Sequence, residues 1–284
     1  MFFRSLELDR HLDKHYENMD EQSKAYFKAY AAGINAYVKF GPLPLEFQLM
    51  GMKFEEWTVK DSILVMKFLS FVMATNWQLT SVRSALTEKL GQDLADRIVP
   101  VNKEYHFLEP IAIINDNGET PRIIVNASSF NDSMYSQMRG KKTVHGSNSW
   151  IIHGNYTDTG KAMLASDPHL GHSIPSEMYM MSMKFPKGHT LVGSTLAGIP
   201  GCAIGRSENF IWGLTMSIIE NTDLYSLKLN DQGTHYWYNG KWTPLEIKEV
   251  TIKVKDEKDV KYKVKKTHHG PLLTSLPESA SLFA

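Results

Sequence analysis

Gly146-Ser147, inside KKTVHGSNSWIIHG (141–154), puts a primary hydroxyl directly after a residue with no side chain. Two readings of the pair are open: an ordinary loop hydroxyl, or a nucleophile that becomes the first residue of a new chain. A reactive serine most often belongs to a Ser-His-acid triad, commonly marked by G-x-S-x-G. Here glycine directly precedes Ser147, none follows two residues on, and no spacing ties a histidine and an acid to it. A second route needs only the serine. At a chain N-terminus its own α-amine takes the hydroxyl proton. An α-amine titrates at about 7.7–8.0, near neutrality, whereas a lysine side chain titrates at about 10.4. Exposing that amine requires scission of the preceding peptide bond, which the hydroxyl can begin by attacking the Gly146 carbonyl. Glycine there removes hindrance and tolerates the strained backbone of the attack.

The other chemistry-bearing patterns are weaker. GNYTDTGKA (154–162) resembles a phosphate-binding loop, but five residues separate its glycines instead of four, and Ala162 stands where a magnesium-binding Ser or Thr belongs. A turn explains it better. DPHLGH groups Asp167, His169 and His172, yet a zinc site needs three or four converging ligands and this spacing matches no familiar metal pattern. In THHG (267–270) two adjacent histidines on a strand would point to opposite faces. The lysine-rich stretch from Lys248 to Lys266 has Glu and Asp interspersed and Tyr262 as its one aromatic. It reads as a solvated edge hairpin and not as a nucleic-acid surface. Met178, Met180, Met181 and Met183 nearly alternate, which favours core packing over the wall of a substrate pocket.

The elements that must hold Ser147 follow from periodicity. EQSKAYFKAYAAGINAYVK (21–39) spaces Tyr26, Phe27, Tyr30, Ile34 and Tyr37 by three and four, predicting an amphipathic helix that Gly41-Pro42 ends. WTVKDSILVMKFLSFVMA opens with Thr58-x-x-Asp61, a start of the capping-box kind with Asp in place of Glu. Helical character runs on through LTSVRSALTEKLG to Gly91, a C-terminal stop. Residues 109–146 mix turn residues with a Ser/Asn-rich tail and read as a connector. After it the pattern turns to strands. SNSWIIHG and KAMLASD form a hairpin around NYTDTG, and EMYMMSMKF, HTLVGSTLAG, CAIG and FIWGLTM follow. YWYNGKW turns at Asn239-Gly240, and EIKEVTIKVKDEKDVKYKV alternates around a charged turn. The organisation expected is a helical part (1–108), the connector (109–146) and an antiparallel sheet part (147–284), an α+β fold.

Composition sets bounds. The chain has 284 residues, 42% hydrophobic and 22% charged, with formal net charge zero. No long-range field favours nucleic acid or an anionic membrane. Cys202 stands alone, which excludes an internal disulfide framework and a multi-cysteine zinc site. MFFRSLELDRHLDKHYE becomes charged too soon for a signal peptide, and the apolar run 63–74 carries Lys67 and is too short to span a bilayer. The abrupt start, and the end at SLPESASLFA, lead us to expect a piece of something longer.

GSNSW followed by DPHL resembles the penicillin acylase family of N-terminal-nucleophile hydrolases, above all its cephalosporin acylase and N-acyl-homoserine-lactone acylase branches. FKAYAAGINAYVKFGPLPLEFQLMGMKFEEWTVKDSI is similar to the α-chain wording of those enzymes, and GSTLAGIPGCAIGRSENFIWGLTMSIIENTDLY to their β-chain. The resemblance implies a four-layer αββα sandwich, present in part, and hydrolysis of a small-molecule acyl amide by α and β chains cut from one precursor. It implies Ser147 as the nucleophile freed after Gly146, with its amine as base. It implies His169 beside the nucleophile, where it positions and polarises the serine, and Met216 as a backbone N–H donor to the oxyanion. Gly193, Pro200 and Trp212 match structural positions.

The family's second oxyanion donor, an asparagine, falls in a region this chain does not reach. No cofactor is required. Some relatives bind calcium, for which Glu220 and Asp223 match two oxygen ligands while the expected acidic partner falls at Thr80. A surface turn explains that acidic pair as well. Relatives of this kind usually act outside the cytoplasm, so the resemblance implies a periplasmic, secreted or lumenal location. The Met- and Phe-rich composition suits an aliphatic or aromatic acyl group. The competing expectation is a non-catalytic truncated remnant of the same fold.

Overall fold

Asp20 starts the longest helix: its carboxylate accepts the Ser23 N–H at 2.8 Å and the Ser23 hydroxyl at 2.6 Å. The computed structural model to which this belongs describes residues 2–73, 82–83, 86–99, 146–216, 222–272 and 280–283. Its helices are α1 (Phe2–Ser5), α2 (Leu12–Glu17), α3 (Glu21–Phe40), α4 (Leu45–Met50), α5 (Val59–Met73) and α6 (Gln92–Ile98). Apart from Gly146, the expected connector lies outside the described residues. No helix among the described residues is long and apolar enough to cross a membrane.

The chain divides into two compact units. One is drawn from Met1–Leu8, Ser70–Tyr135 and Ile218–Ala284, the other from Asp9–Leu69 and Ser136–Ser217. The second holds the candidate site. Its helix α3 turns Phe27, Tyr30, Ala31, Ile34 and Val38 inward, while Tyr26 and Tyr37, expected in that stripe, are 62% and 56% exposed. At 100° per residue those two tyrosines fall at the edge of the apolar stripe. Hydrogen bonds from the Ser23 hydroxyl, then its N–H, hold the Asp20 carboxyl below its ordinary range. A depressed carboxyl pKa favours the fold above the unfolded value, about 3.9, and that contribution is lost as pH falls through the lower native value. Asp20→Asn keeps a cap and is expected to remove this part of the acid sensitivity. Chemical denaturation from neutral to strongly acid pH should show the wild type's advantage over the variant closing at the acid end.

Before α5, the Asp61 carboxylate reaches back to accept the Thr58 N–H at 2.7 Å and the Thr58 hydroxyl at 2.6 Å, so Asp serves in the capping box as Glu would. Asn35 ties this corner to α3, bonding the Trp57 N–H and carbonyl at 2.8 Å each. The Trp57 ring packs at Gly198, whose N–H donates to the Tyr30 hydroxyl at 3.1 Å. Helices before the candidate cut and a turn after it thus share one packing seam.

The strands of this unit form a hairpin and a sheet. β1 (Gly146–Ile152) pairs antiparallel with β2 (Met163–His169) around the expected turn. β3 (Met178–Lys184), β4 (Thr190–Leu196), β5 (Ile204–Arg206) and β6 (Ile211–Trp212) make a four-stranded antiparallel sheet in sequence order. Of the four methionines expected to pack, Met180 is 83% exposed and the other three are half-buried. Gly193 faces Gly205 across β4 and β5, and a Cβ on it would stand 2.2 Å from the Ile204 carbonyl oxygen. Backbone cannot rotate away, so Gly193→Ala is expected to destabilise by roughly 1–3 kcal/mol. The measurement is a lower denaturation midpoint at unchanged slope.

In the first unit, β7 (Asp223–Ser226) pairs with β12 (Ala280–Phe283), β8 (His235–Tyr238) with β9 (Lys241–Pro244), and β10 (Glu246–Ile252) with β11 (Val260–Lys266). Asn239 and Gly240 both take positive φ, as the expected tight hairpin turn demands. Leu227, Tyr236, Leu245 and Leu272 form its core. Of the hairpin lysines read as solvated, Lys248 is 55% exposed, while Lys266 is only 18% exposed; both approach buried Glu7, at 3.9 and 3.8 Å, and Ser5 bonds Tyr262 at 2.7 Å. His268 and His269 lie beyond β11 and not on a strand. Their rings stand 3.8 Å apart, His268 bonded to the Tyr236 hydroxyl and His269 stacked on Tyr225. Gly91, expected as a stop, bonds the Thr87 carbonyl at 3.0 Å and also opens α6.

Candidate active site

The register of β1 and β2 sorts the candidate residues onto two faces. Gly146 opposes His169, Ser147 opposes Pro168, Asn148 opposes Asp167 and Ser149 opposes Ser166. Successive strand residues alternate, so Gly146, Asn148, Asp167 and His169 share one face, and Ser147, Ser149 and Ser166 share the other. On the first face His169 Nε2 lies 3.0 Å from Asp167 Oδ2 and 3.4 Å from Asn148 Nδ2. A Cβ built on Gly146 would lie 3.4 Å from His169 Nδ1. The imidazole therefore stands across from Gly146, one residue from Ser147, with a carboxylate on its far nitrogen.

On the other face the half-buried Ser147 hydroxyl donates to the carbonyl oxygen of Gly146 at 2.6 Å. This is the carbonyl that a scission at 146–147 must attack. Beyond β6 the chain passes over this serine face. A Cβ on Gly213 would meet Ser166 Cβ at 2.6 Å and Ser149 Oγ at 2.8 Å, an approach only glycine permits. Ser166 Oγ accepts the Leu214 N–H at 3.2 Å and lies 3.3 Å from the Leu214 carbonyl. The Thr215 hydroxyl donates to the Ser147 carbonyl at 3.1 Å. Met216, the expected oxyanion donor, directly follows. Gly146, Ser147 and His169 thus share one hairpin, with the His169 ring on the face opposite the Ser147 side chain and not beside its hydroxyl, and Met216 follows the residue that bonds the Ser147 carbonyl.

An open hollow of about 550 Å³ adjoins the hairpin, lined among others by Pro168, Leu170, His172, Glu177 and Met178. Pro168, the cross-strand partner of Ser147, lines it, and Ser147 does not. Burial raises the pKa of Cys202, which keeps its thiol protonated and makes it a poor rival nucleophile. Glu220 and Thr80 lie outside the described residues and Asp223 opens β7. Among the described residues no three His, Cys, Asp or Glu groups converge on a metal position.

Reading the sequence missed Asp167 as a partner of His169, and it missed Ser166, Gly213 and Thr215 altogether. Asp-x-His on a strand places both side chains on one face, a signal present in the sequence. The other three act through the approach of a segment distant in sequence, which leaves no local trace.

The chain belongs to the penicillin amidase family, whose profile matches residues 1–283. Helices followed by antiparallel sheets are the α+β arrangement expected of it, and the described residues carry part of that fold. An acyl-homoserine lactone acylase QuiP of Pseudomonas aeruginosa is 30% identical over 282 residues, which cover 96% of this chain and 33% of the relative. The penicillin acylase 2 proenzyme of Pseudomonas sp. strain SE83 is 28% identical over 98% of this chain and 36% of its own length. A solved penicillin G acylase from Alcaligenes faecalis aligns with a TM-score of 0.43 and 24% identity, covering 48% of this chain and 25% of its own. The chain spans about a third of the length of the curated relatives that it matches along most of its own.

Proposed function

We propose that this chain carries the nucleophile of an acyl-amide hydrolase, and that Ser147 acquires its amine by cutting its own upstream bond. One observation carries the reading: the Ser147 hydroxyl sits 2.6 Å from the carbonyl oxygen of Gly146. In scission Oγ attacks the Gly146 carbonyl carbon, its proton passes to the departing Ser147 nitrogen, and an ester joins Gly146 to Oγ. Water hydrolyses that ester, leaving a Gly146 carboxylate and a Ser147 with free hydroxyl and amine.

Turnover repeats the chemistry on an external amide. The amine accepts the hydroxyl proton and Oγ attacks the acyl carbonyl. The N–H of Met216 receives the oxyanion, the leaving amine takes the proton, and water frees the acid. His169, held by Asp167, orients the neighbourhood of the junction. The word acylase in the names of the relatives supports an acyl amide as substrate, and the word proenzyme in one of them supports processing.

The test is N-terminal sequencing of the natural gene product after purification. A new chain beginning Ser-Asn-Ser-Trp, together with release of acid from acyl 4-nitroanilides, supports the reading. A product that stays uncut through prolonged incubation and turns over no amide fits a non-catalytic remnant instead.

A further inference from the structure

We infer that Thr215 and Ser166 are positioning residues that keep the N–H of Met216 in register with Ser147 after the chain is cut; the inference rests on Ser147 being the nucleophile. The need for such residues arises from scission itself. Before the cut Ser147 is held from both sides along β1 and its hydroxyl is bonded to Gly146. Afterwards it is a chain end, and chain ends fray unless tied down. Catalysis then requires that a loosened nucleophile and a donor on another segment keep a fixed separation.

The bond from the Thr215 hydroxyl to the Ser147 carbonyl meets that requirement. It grips the C-terminal side of residue 147, which scission of the 146–147 link does not touch. The other end of the bond belongs to the residue immediately before Met216, one virtual bond of about 3.8 Å from its Cα. Nucleophile and donor are therefore coupled through one hydrogen bond and one peptide unit. Ser166 supplies the second anchor. It lies within bonding distance of both backbone groups of Leu214, so a single hydroxyl on β2 fixes the height of the segment above the hairpin. β6 ends at Trp212, and it is these side-chain bonds that tie the segment to the strands carrying Ser147.

The same geometry serves the first reaction. The Gly146 carbonyl oxygen becomes the oxyanion of self-scission, so loss of the anchors should slow processing as well as turnover. A displacement of about 1 Å at such a site typically lowers rates by about 10².

The experiment compares Thr215→Val, which matches the shape without the hydroxyl, with Thr215→Ser, which keeps the hydroxyl. Both are made in the full gene product, and self-scission is followed along with hydrolysis of acyl 4-nitroanilides. Thr215→Val should lower kcat about 10- to 100-fold with KM little changed, and should slow scission by a similar factor. Thr215→Ser should return to within a few-fold of wild type in both. Equal defects in the two variants, or a normal Thr215→Val, would overturn the assignment. Should Thr215→Val fail to fold, Ser166→Ala decides: a fall in kcat at constant KM supports the anchor and unchanged kinetics refute it. Ser147→Ala, run alongside, separates the two levels, since turnover surviving in it would refute the nucleophile and not the positioning alone.

Discussion

Ser147→Ala is expected to leave the 146–147 bond intact and to abolish the amide turnover proposed for the full gene product. Loss of a catalytic serine acting with its base lowers kcat by about 10⁶, which places the residual rate below detection. The effect on processing should be as complete. The Ser147 hydroxyl is the group bonded to the Gly146 carbonyl, and the cross-strand residue, Pro168, offers no substitute. Alanine keeps the strand, since Ser147 contributes backbone to the β1–β2 ladder and only a half-buried side chain to packing. The uncut variant is therefore expected to fold and to run as one band of the full mass.

Two companion variants sharpen the result. Ser147→Cys and Ser147→Thr retain a group able to attack and are expected to process at reduced rates, because both side chains serve as nucleophiles at chain termini. A Ser147→Ala protein that is cut at 146–147 would place the nucleophile elsewhere. So would one that is uncut yet hydrolyses anilides. Mass spectrometry of the purified variants distinguishes these outcomes without a known natural substrate.

Parts of this site were legible in the sequence because they are local. A Gly-Ser pair ahead of SWII, and a turn-rich NYTDTG before the next apolar run, specify a hairpin with Ser147 near its open end. Alternation fixes the register of such a hairpin, since a slip of one residue would exchange its faces. Thr58-x-x-Asp61 and Asn239-Gly240 were equally readable, each being a bond or a dihedral set within four residues. Features joined by long separations were not. Tyr26 and Tyr37 looked like core because they are aromatic at helical spacing, yet the inward face is chosen by what α3 meets, notably Trp57 and the Gly198 turn. Most lysines of β10 and β11 face solvent as read, but nothing near Lys266 in sequence announces that it approaches Glu7. His268 and His269, whose rings would diverge on a strand, follow β11 in a turn and stand together.

Gly213→Val should separate activity from folding most sharply. The first atom of any side chain at 213 would stand 2.6 Å from Ser166 Cβ, 2.7 Å from Ser166 Oγ and 2.8 Å from Ser149 Oγ. A hydroxyl can rotate away, but the Ser166 Cβ is fixed to β2, so the 213–216 segment must retreat by about 1 Å to restore ordinary contact. Retreat breaks the Leu214–Ser166 and Thr215–Ser147 bonds together and carries the Met216 N–H out of line. The expected cost in stability is roughly 1–3 kcal/mol, that of a crowded site whose neighbours can shift. The rate should fall by about 10² or more, because a displaced oxyanion donor is close to an absent one. KM should move little. If Gly213→Val processed and hydrolysed at the wild-type rate, the segment would not be held against the hairpin, and Met216 could not be the donor.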